Sequence, residues 1–343
     1  MPQAIMIQND FDIPVGSRHI GTAQGYLFML GGFDNLNKKF LNDAYYLDEY
    51  RSMFRPIHSM FYPRAEHVVH KFKDNLYVFG GMAYRDDQHG GKPFVQSLNT
   101  CEYFNIVAKK WFMLPSFEKA RQCFSVCQFN DRYIFIIGGK CLKPEARVGD
   151  KYSFNFVDQV EAFDIDRNTW KTINYIQDSS KLRVVHAGAI QVNSKSIMIF
   201  GGMVDPEEGN NESENMADNG QDVQLTNQSY FLDVTVGTIK RGPELNDSCY
   251  FINNVGSLIS MHNKLYAQGF RINHEFIKPA AVNSLAAAAP ETTEVPANLK
   301  NASNTSRHKK VLHCYNLLEE EFSEIHEGIF ASNIRKQSVD LDD

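Results

Sequence analysis

Four apolar runs in this chain end in the same way. "LFMLGG" (Leu27–Gly32), "LYVFGG" (Leu76–Gly81), "IFIIGG" (Ile134–Gly139) and "IMIFGG" (Ile197–Gly202) each close on two adjacent glycines. The pairs begin at positions 31, 80, 138 and 201, steps of 49, 58 and 63 residues. A period this long points to a solenoid, a propeller or an array, and the content of each unit decides among them.

The second unit reads as four short strands. "EHVVHKF" leads through the turn signal Asp74–Asn75 into "LYVFGG", a polar loop follows, and "TCEYFNI" turns through "VAKK" into "WFML". Pro115 then ends the pairing, because proline lacks the amide donor. The third unit keeps this order with "QCFSVCQF", "YIFIIGG", "QVEAFDI" and "TWKTI", and the fourth with "VVHAGAIQV", "SIMIFGG", "SYFLDVT" and "GTIKRG". The first offers "HIGTAQ", "YLFMLGG", "DAYYLDE" and "SMFRPI". A fifth, degraded unit has Gln268–Gly269 in place of the double glycine and finishes on "KVLHCYNL" and "EFSEI". No segment with a helical period and caps competes.

A lone four-stranded sheet has two faces to bury. Stacking such sheets radially covers both and leaves only short edges, which is a β-propeller. Gly31, Gly32, Gly80, Gly81, Gly138, Gly139, Gly201 and Gly202 then mark where the backbone turns beside its neighbours. Aromatic residues make up 12% of the chain, and rings such as Tyr103 with Trp111 and Phe163 with Trp170 are placed to fill the space between sheets.

Arg, an apolar strand, a double glycine, Tyr or Phe and then Trp resemble the kelch repeat over roughly residues 15–326. The resemblance implies an all-β, kelch-type propeller of five recognisable four-stranded blades, with six blades, one incomplete, as the alternative. The expected organisation is one domain over 1–330 with flexible insertions at about 203–226 and 271–309, and a tail at 331–343. "AIMIQNDFDIPVGSR" adds an N-terminal strand that closes or caps the ring. Two units carry the repeat tryptophan, Trp111 and Trp170. In kelch propellers the loops joining second and third strands share a face with the loops between blades, so the long insertions are expected to crowd one face.

The insertions at 203–226 and 271–309 are polar and read as disordered. The shorter loops carry aromatics, and Tyr84, Phe94 and Tyr152 are candidate partner contacts. Arginine precedes the first strand of four units, at Arg18, Arg64, Arg121 and Arg183. In adaptor-type kelch proteins arginines here grip acidic peptides, and a planar guanidinium holds carboxylates bidentately. The competing reading makes them repeat residues that hold neighbouring carbonyls. His67 and His186 each follow an arginine by three residues and read as core positions repeated with the fold.

The expected function is a non-catalytic scaffold that binds a protein or peptide, with an acidic partner favoured. An enzyme of the kelch class and an actin-associated protein are the alternatives. No metal site, cofactor motif, catalytic triad order or phosphate-binding loop is legible. Net charge is −6 with a pI near 6.0, and no dense basic run suggests nucleic acid. No apolar run is long enough to span a bilayer, and the start does not read as a signal peptide. The 6 cysteines form no CxxC pair and read as reduced thiols in the cytoplasm or nucleus.

Overall fold

A computed structural model describes residues 13–21, 26–48, 53–85, 93–147, 153–177, 182–205, 215–218, 221–245, 248–249, 258–261, 264–272, 308–316 and 321–324. Five blade sheets follow one another along the chain, each built on four antiparallel strands and the fourth extended by one parallel edge strand, and no helix occurs among the described residues. Blade one is β1 (Arg18–Gly21), β2 (Leu27–Asp34), β3 (Lys39–Asp48) and β4 (Met53–Ile57). Blade two starts with β5 (Val68–Phe72) and β6 (Asn75–Phe79), inserts the hairpin β7 (Met82–Tyr84) and β8 (Val95–Ser97), and ends with β9 (Cys101–Asn105) and β10 (Lys110–Leu114). Blade three repeats this as β11 (Ser125–Phe129), β12 (Tyr133–Ile137), the hairpin β13 (Lys140–Leu142) and β14 (Phe154–Phe156), then β15 (Val160–Asp164) and β16 (Thr169–Ile173).

Blade four is preceded by β17 (Ile176–Gln177) and contains β18 (Gly188–Gln191) and β19 (Ser196–Phe200). A three-stranded insertion follows, β20 (Met203–Val204), β21 (Asn215–Asp218) and β22 (Gln221–Leu225), before β23 (Ser229–Asp233) and β24 (Thr238–Arg241). β17 adds to the outer edge of β24 in parallel. Blade five is β25 (Leu258–Met261), β26 (Lys264–Ile272), β27 (His308–Asn316) and β28 (Glu321–Glu324). β26 stays paired with β27 from Lys264↔Asn316 to Ile272↔His308, through the Gln268–Gly269 that stands in place of the double glycine. The expected N-terminal capping strand, the core of the 271–309 insertion and the 331–343 tail lie outside the described residues.

The strand sequences explain the blade interfaces. Alternate residues of a strand point to opposite faces of its sheet. In β6, Leu76 and Val78 pack with blade one (Ile20, Phe28, Leu30), whereas Tyr77 and Phe79 pack with blade three (Phe124, Val126, Ile134). In β12, Ile134 and Ile136 face blade two, while Phe135 and Ile137 face blade four. A strand covered on both faces has no polar side, so these runs are continuously apolar. The tryptophans staple neighbouring blades: Trp111 Nε1 donates to the His58 carbonyl (2.5 Å) and Trp170 Nε1 to the Pro115 carbonyl (2.7 Å). Outer hairpins are set by an Asn or Asp that accepts an N–H three residues on: Asn105 from Ala108, Asp164 from Arg167, Asp233 from Val236.

The glycine pair joins each unit to the next. The second glycine's N–H donates to a carbonyl on the following lead-in: Gly32 to Arg64 (2.8 Å), Gly81 to Arg121 (3.0 Å), Gly139 to Val184 (2.7 Å) and Gly202 to Cys249 (2.7 Å). At Gly81, φ is +97° and a Cβ would stand 2.6 Å from the Ala65 carbonyl oxygen. Any side chain there breaks the join. Gly81→Ala is expected to lower stability by about 2–3 kcal/mol, measured as a fall in the urea midpoint with an unchanged slope; a shift within experimental error would refute this role.

Candidate interaction face

The structure aligns the units independently of residue type. Isolated bridges tie each lead-in to the residue after the double glycine: Val15↔Phe33, Ala65↔Met82, Gln122↔Lys140 and Val185↔Met203. In this register Arg64, Arg121 and Val184 are equivalent, and the first blade has Pro14 there. Arg183 therefore sits one residue early and Arg18 four residues late, so the four arginines are not one series.

Arg64 and Arg121 are fully buried. Arg64 donates to the carbonyls of Gly80 (2.8 Å) and Thr100 (3.0 Å), to Thr100 Oγ1 (3.1 Å) and to Glu102 Oε1 (2.9 Å). Arg121 repeats the set with the carbonyls of Gly138 (3.2 Å) and Gln159 (2.7 Å) and the carboxylate of Glu161. The carboxylates are shared with the lead-in backbone: Glu102 accepts from the N–H of Phe61 (2.8 Å) and Tyr62 (3.4 Å), and Glu161 from the N–H of Glu118 (2.7 Å). Burial lowers the affinity of both guanidiniums for their protons, bringing Arg121 to about 10, still far above neutrality. These two arginines are turned inward and brace the blade, because neither guanidinium is exposed and each is spent on carbonyls and a carboxylate of its own blade. Arg121→Ala is expected to cost about 3–5 kcal/mol by stranding Glu161, and Arg121→Met combined with Glu161→Met to cost less than either single change, by urea denaturation.

Arg18 is also buried. It donates from Nε to the His67 carbonyl (2.7 Å) and from Nη2 to Glu66 Oε2 (2.6 Å), and it is the main reason Glu66 is held down at about 2. Arg183 is half-buried.

The two histidines are not equivalent either. His186 aligns with Gly16, Glu66 and Cys123, and all four have positive φ, between 52° and 67°. Their backbones are linked from blade to blade, Glu66 N–H to Gly16 O (3.1 Å), Cys123 N–H to Glu66 O (3.5 Å) and His186 N–H to Cys123 O (2.9 Å). His67 aligns instead with Phe124. It is fully buried, and neither ring nitrogen has a hydrogen-bond partner. Burial first, then the cations Arg18 and Arg64, hold it neutral well below the ordinary imidazole range; burial brings His70 to about 4. As pH falls through about 6.5 the unfolded chain takes up protons at both sites and the folded chain does not, so stability falls with acidification. His67→Phe, copying blade three, is expected to flatten that slope between pH 7.5 and 5 by roughly a third to a half, with His70 and His19, both lowered by burial, supplying the rest, read from urea midpoints.

On one face the insertions form a crown with its own apolar core. Phe40 of blade one, Ala83 and Val95 of blade two, Leu142 and Phe154 of blade three, and Met203, Val223 and Leu225 of blade four pack as one cluster. Neighbouring hairpins bond to each other through Val95 N–H to Ala146 O (2.9 Å) and Leu142 N–H to Ser97 Oγ (3.0 Å). Tyr84 rests edge-on against Phe40, ring centres 4.9 Å apart, and its hydroxyl donates to the Lys38 carbonyl. Phe94 pairs with Arg147 across the crown. Its ring carries two guanidiniums, with Arg147 Cζ 3.7 Å and Arg85 Cζ 4.7 Å from its centre. All three residues are half-buried. Tyr84 and Phe94 were candidates in the sequence and lie on this crown, whereas Arg85 and Arg147 gave no such sign, because their meeting depends on two hairpins of different blades; Tyr152 lies outside the described residues. Among the described residues no three His, Cys, Asp or Glu side chains are placed to hold a metal.

Residues 7–202 match the KLHDC2/KLHL20/DRC7 kelch-repeats domain. The chain is also similar to the protein ral2 of Schizosaccharomyces pombe, 27% identical over 173 residues, which covers 42% of this chain and 26% of that protein. It thus spans about a quarter of that relative's length.

Proposed function

We propose that this chain, which belongs to the KLHDC2/KLHL20/DRC7 kelch-repeat family, is a non-catalytic interaction scaffold whose crown face binds an acidic segment of a partner protein. One observation carries the reading: Phe94 gathers Arg85 and Arg147 onto a single ring. A guanidinium stacked on a ring keeps its N–H donors in the plane of the stack, the geometry that grips a carboxylate bidentately. The acidic net charge of the whole chain makes this local basic site selective for position as well as sign. Nucleic acid and membrane have no part in the proposal. No disulfide joins the described cysteines, Cys101, Cys123, Cys127, Cys141 and Cys249, which suits a reducing compartment, cytoplasm or nucleus.

The test is a fluorescein-labelled peptide of alternating Glu and Ser, with a Lys and Ser peptide as control. The acidic peptide is expected to bind, with affinity falling as salt rises. Arg85→Ser with Arg147→Ser is expected to weaken binding roughly tenfold or more while leaving the melting temperature within a few degrees. Equal binding of both peptides, or no effect of the double substitution, would remove the crown from consideration.

A further inference from the structure

The repeat contains its own control for one exposed feature. The lead-ins to blades two and three are built on the same device, in which a buried residue (Met60, Phe117) is followed by an N–H bonded to a buried glutamate (Glu102, Glu161) and then the buried arginine. The device uses the backbone N–H at the position after the buried residue, and blade three fills that position and the next with Glu118 and Lys119, both exposed. Blade two has Phe61 and Tyr62 there, 53% and 41% exposed. The fold accepts a charged pair at these positions, so it does not require two aromatics in solvent. They are also rigidly presented, since both amides are tied to a carboxylate that Arg64 holds in place.

Their surroundings say what they meet. Met60 N–H donates to the Asn42 carbonyl (2.8 Å) and Arg64 N–H to the Leu41 carbonyl (3.0 Å), which lays this lead-in along the start of β3. Lys38 and Lys39, both exposed, come just before Leu41. Lys38 is in turn bonded through its carbonyl to Tyr84, the residue before Arg85. Hydrogen bonds at the start of β3 thus link the lead-in that carries the aromatic pair to the hairpin that carries Arg85 and Phe94, and Phe94 in turn bridges to Arg147 of blade three.

We infer that Phe61 and Tyr62 are the apolar anchor of the acidic-peptide face, so that the bound segment carries a large aliphatic or aromatic side chain next to its carboxylates. This rests on the crown reading above and adds the second half of the recognition chemistry. An ordered aromatic pair loses little side-chain freedom on binding, and burying it against an apolar residue supplies affinity that charges screened by salt do not.

The experiment compares two fluorescein-labelled nine-residue peptides of Glu and Ser, one with Leu at the centre and one with Ser there. The intact protein is measured beside a Phe61→Glu, Tyr62→Lys variant, which copies the pair of blade three and leaves net charge unchanged. The Leu peptide is expected to bind the intact protein roughly tenfold tighter than the Ser peptide. The variant is expected to lose that preference while holding the Ser peptide within about threefold and melting as the parent does. Equal affinity of the intact protein for both peptides overturns the anchor and leaves the basic face standing. Absence of binding by either peptide removes both. A variant that loses its fold shows the pair to be structural, and a parent dimer that the variant dissociates shows the pair to be a self-association surface; either overturns the inference.

Discussion

Every later feature of this structure depends on the hydrogen bond from the second glycine of one unit to the lead-in carbonyl of the next. An N–H pointing out of a sheet toward another backbone needs a peptide orientation that side-chain-bearing residues rarely adopt, and room where a Cβ would otherwise sit. With that bond made, two sheets stand face to face at a fixed distance. The alternating residues of β6 and β12 can then serve two neighbours at once. The lead-in is held too, and its carbonyls, amides and buried arginine are delivered to the same place in each unit.

The buried Arg–Glu pairs act on top of this join. Arg64 and Arg121 each collect the first glycine's carbonyl, a carbonyl from the approach to the third strand, and a glutamate on that strand. A desolvated ion pair adds little to stability when compared with a well-packed apolar pair, but breaking it is costly. Its value here is geometric. It converts a loop between blades into a fixed platform, and the exposed residues of that platform, Phe61 and Tyr62 in one case and Glu118 and Lys119 in the other, become free to vary. The crown uses the same separation of tasks: apolar residues from four blades set its shape, while Arg85, Phe94 and Arg147 are displayed at its hairpins.

Much of this was legible in the residues. Continuous apolar runs closed by glycine pairs announce strands covered on both faces, and the five units, their strand order and their turns can be read without coordinates. The Glu of "CEYF" and of "VEAF", a charge at the same place in two otherwise apolar strands, was a readable sign of the arginines' partners. The arginine series itself was misleading. Arg18 and Arg183 stand near the right places in the sequence, but the bridges that define equivalence put them four residues late and one residue early. His67 is the core residue expected, but His186 is not its counterpart for the same reason, since equal distance from an arginine is not equal position in a blade.

The amino-acid sequence alone determined the repeated unit, because burial on both faces of a sheet and glycine at a crowded join are local demands that leave local marks. Only the tertiary structure decided which arginines are braces and which are displayed. That outcome depends on which carbonyls and carboxylates from other strands reach each guanidinium, and on which hairpins of neighbouring blades meet across the crown. Both are contacts between residues distant in sequence, whose geometry is set by the packing of whole sheets rather than by any residue's own neighbours.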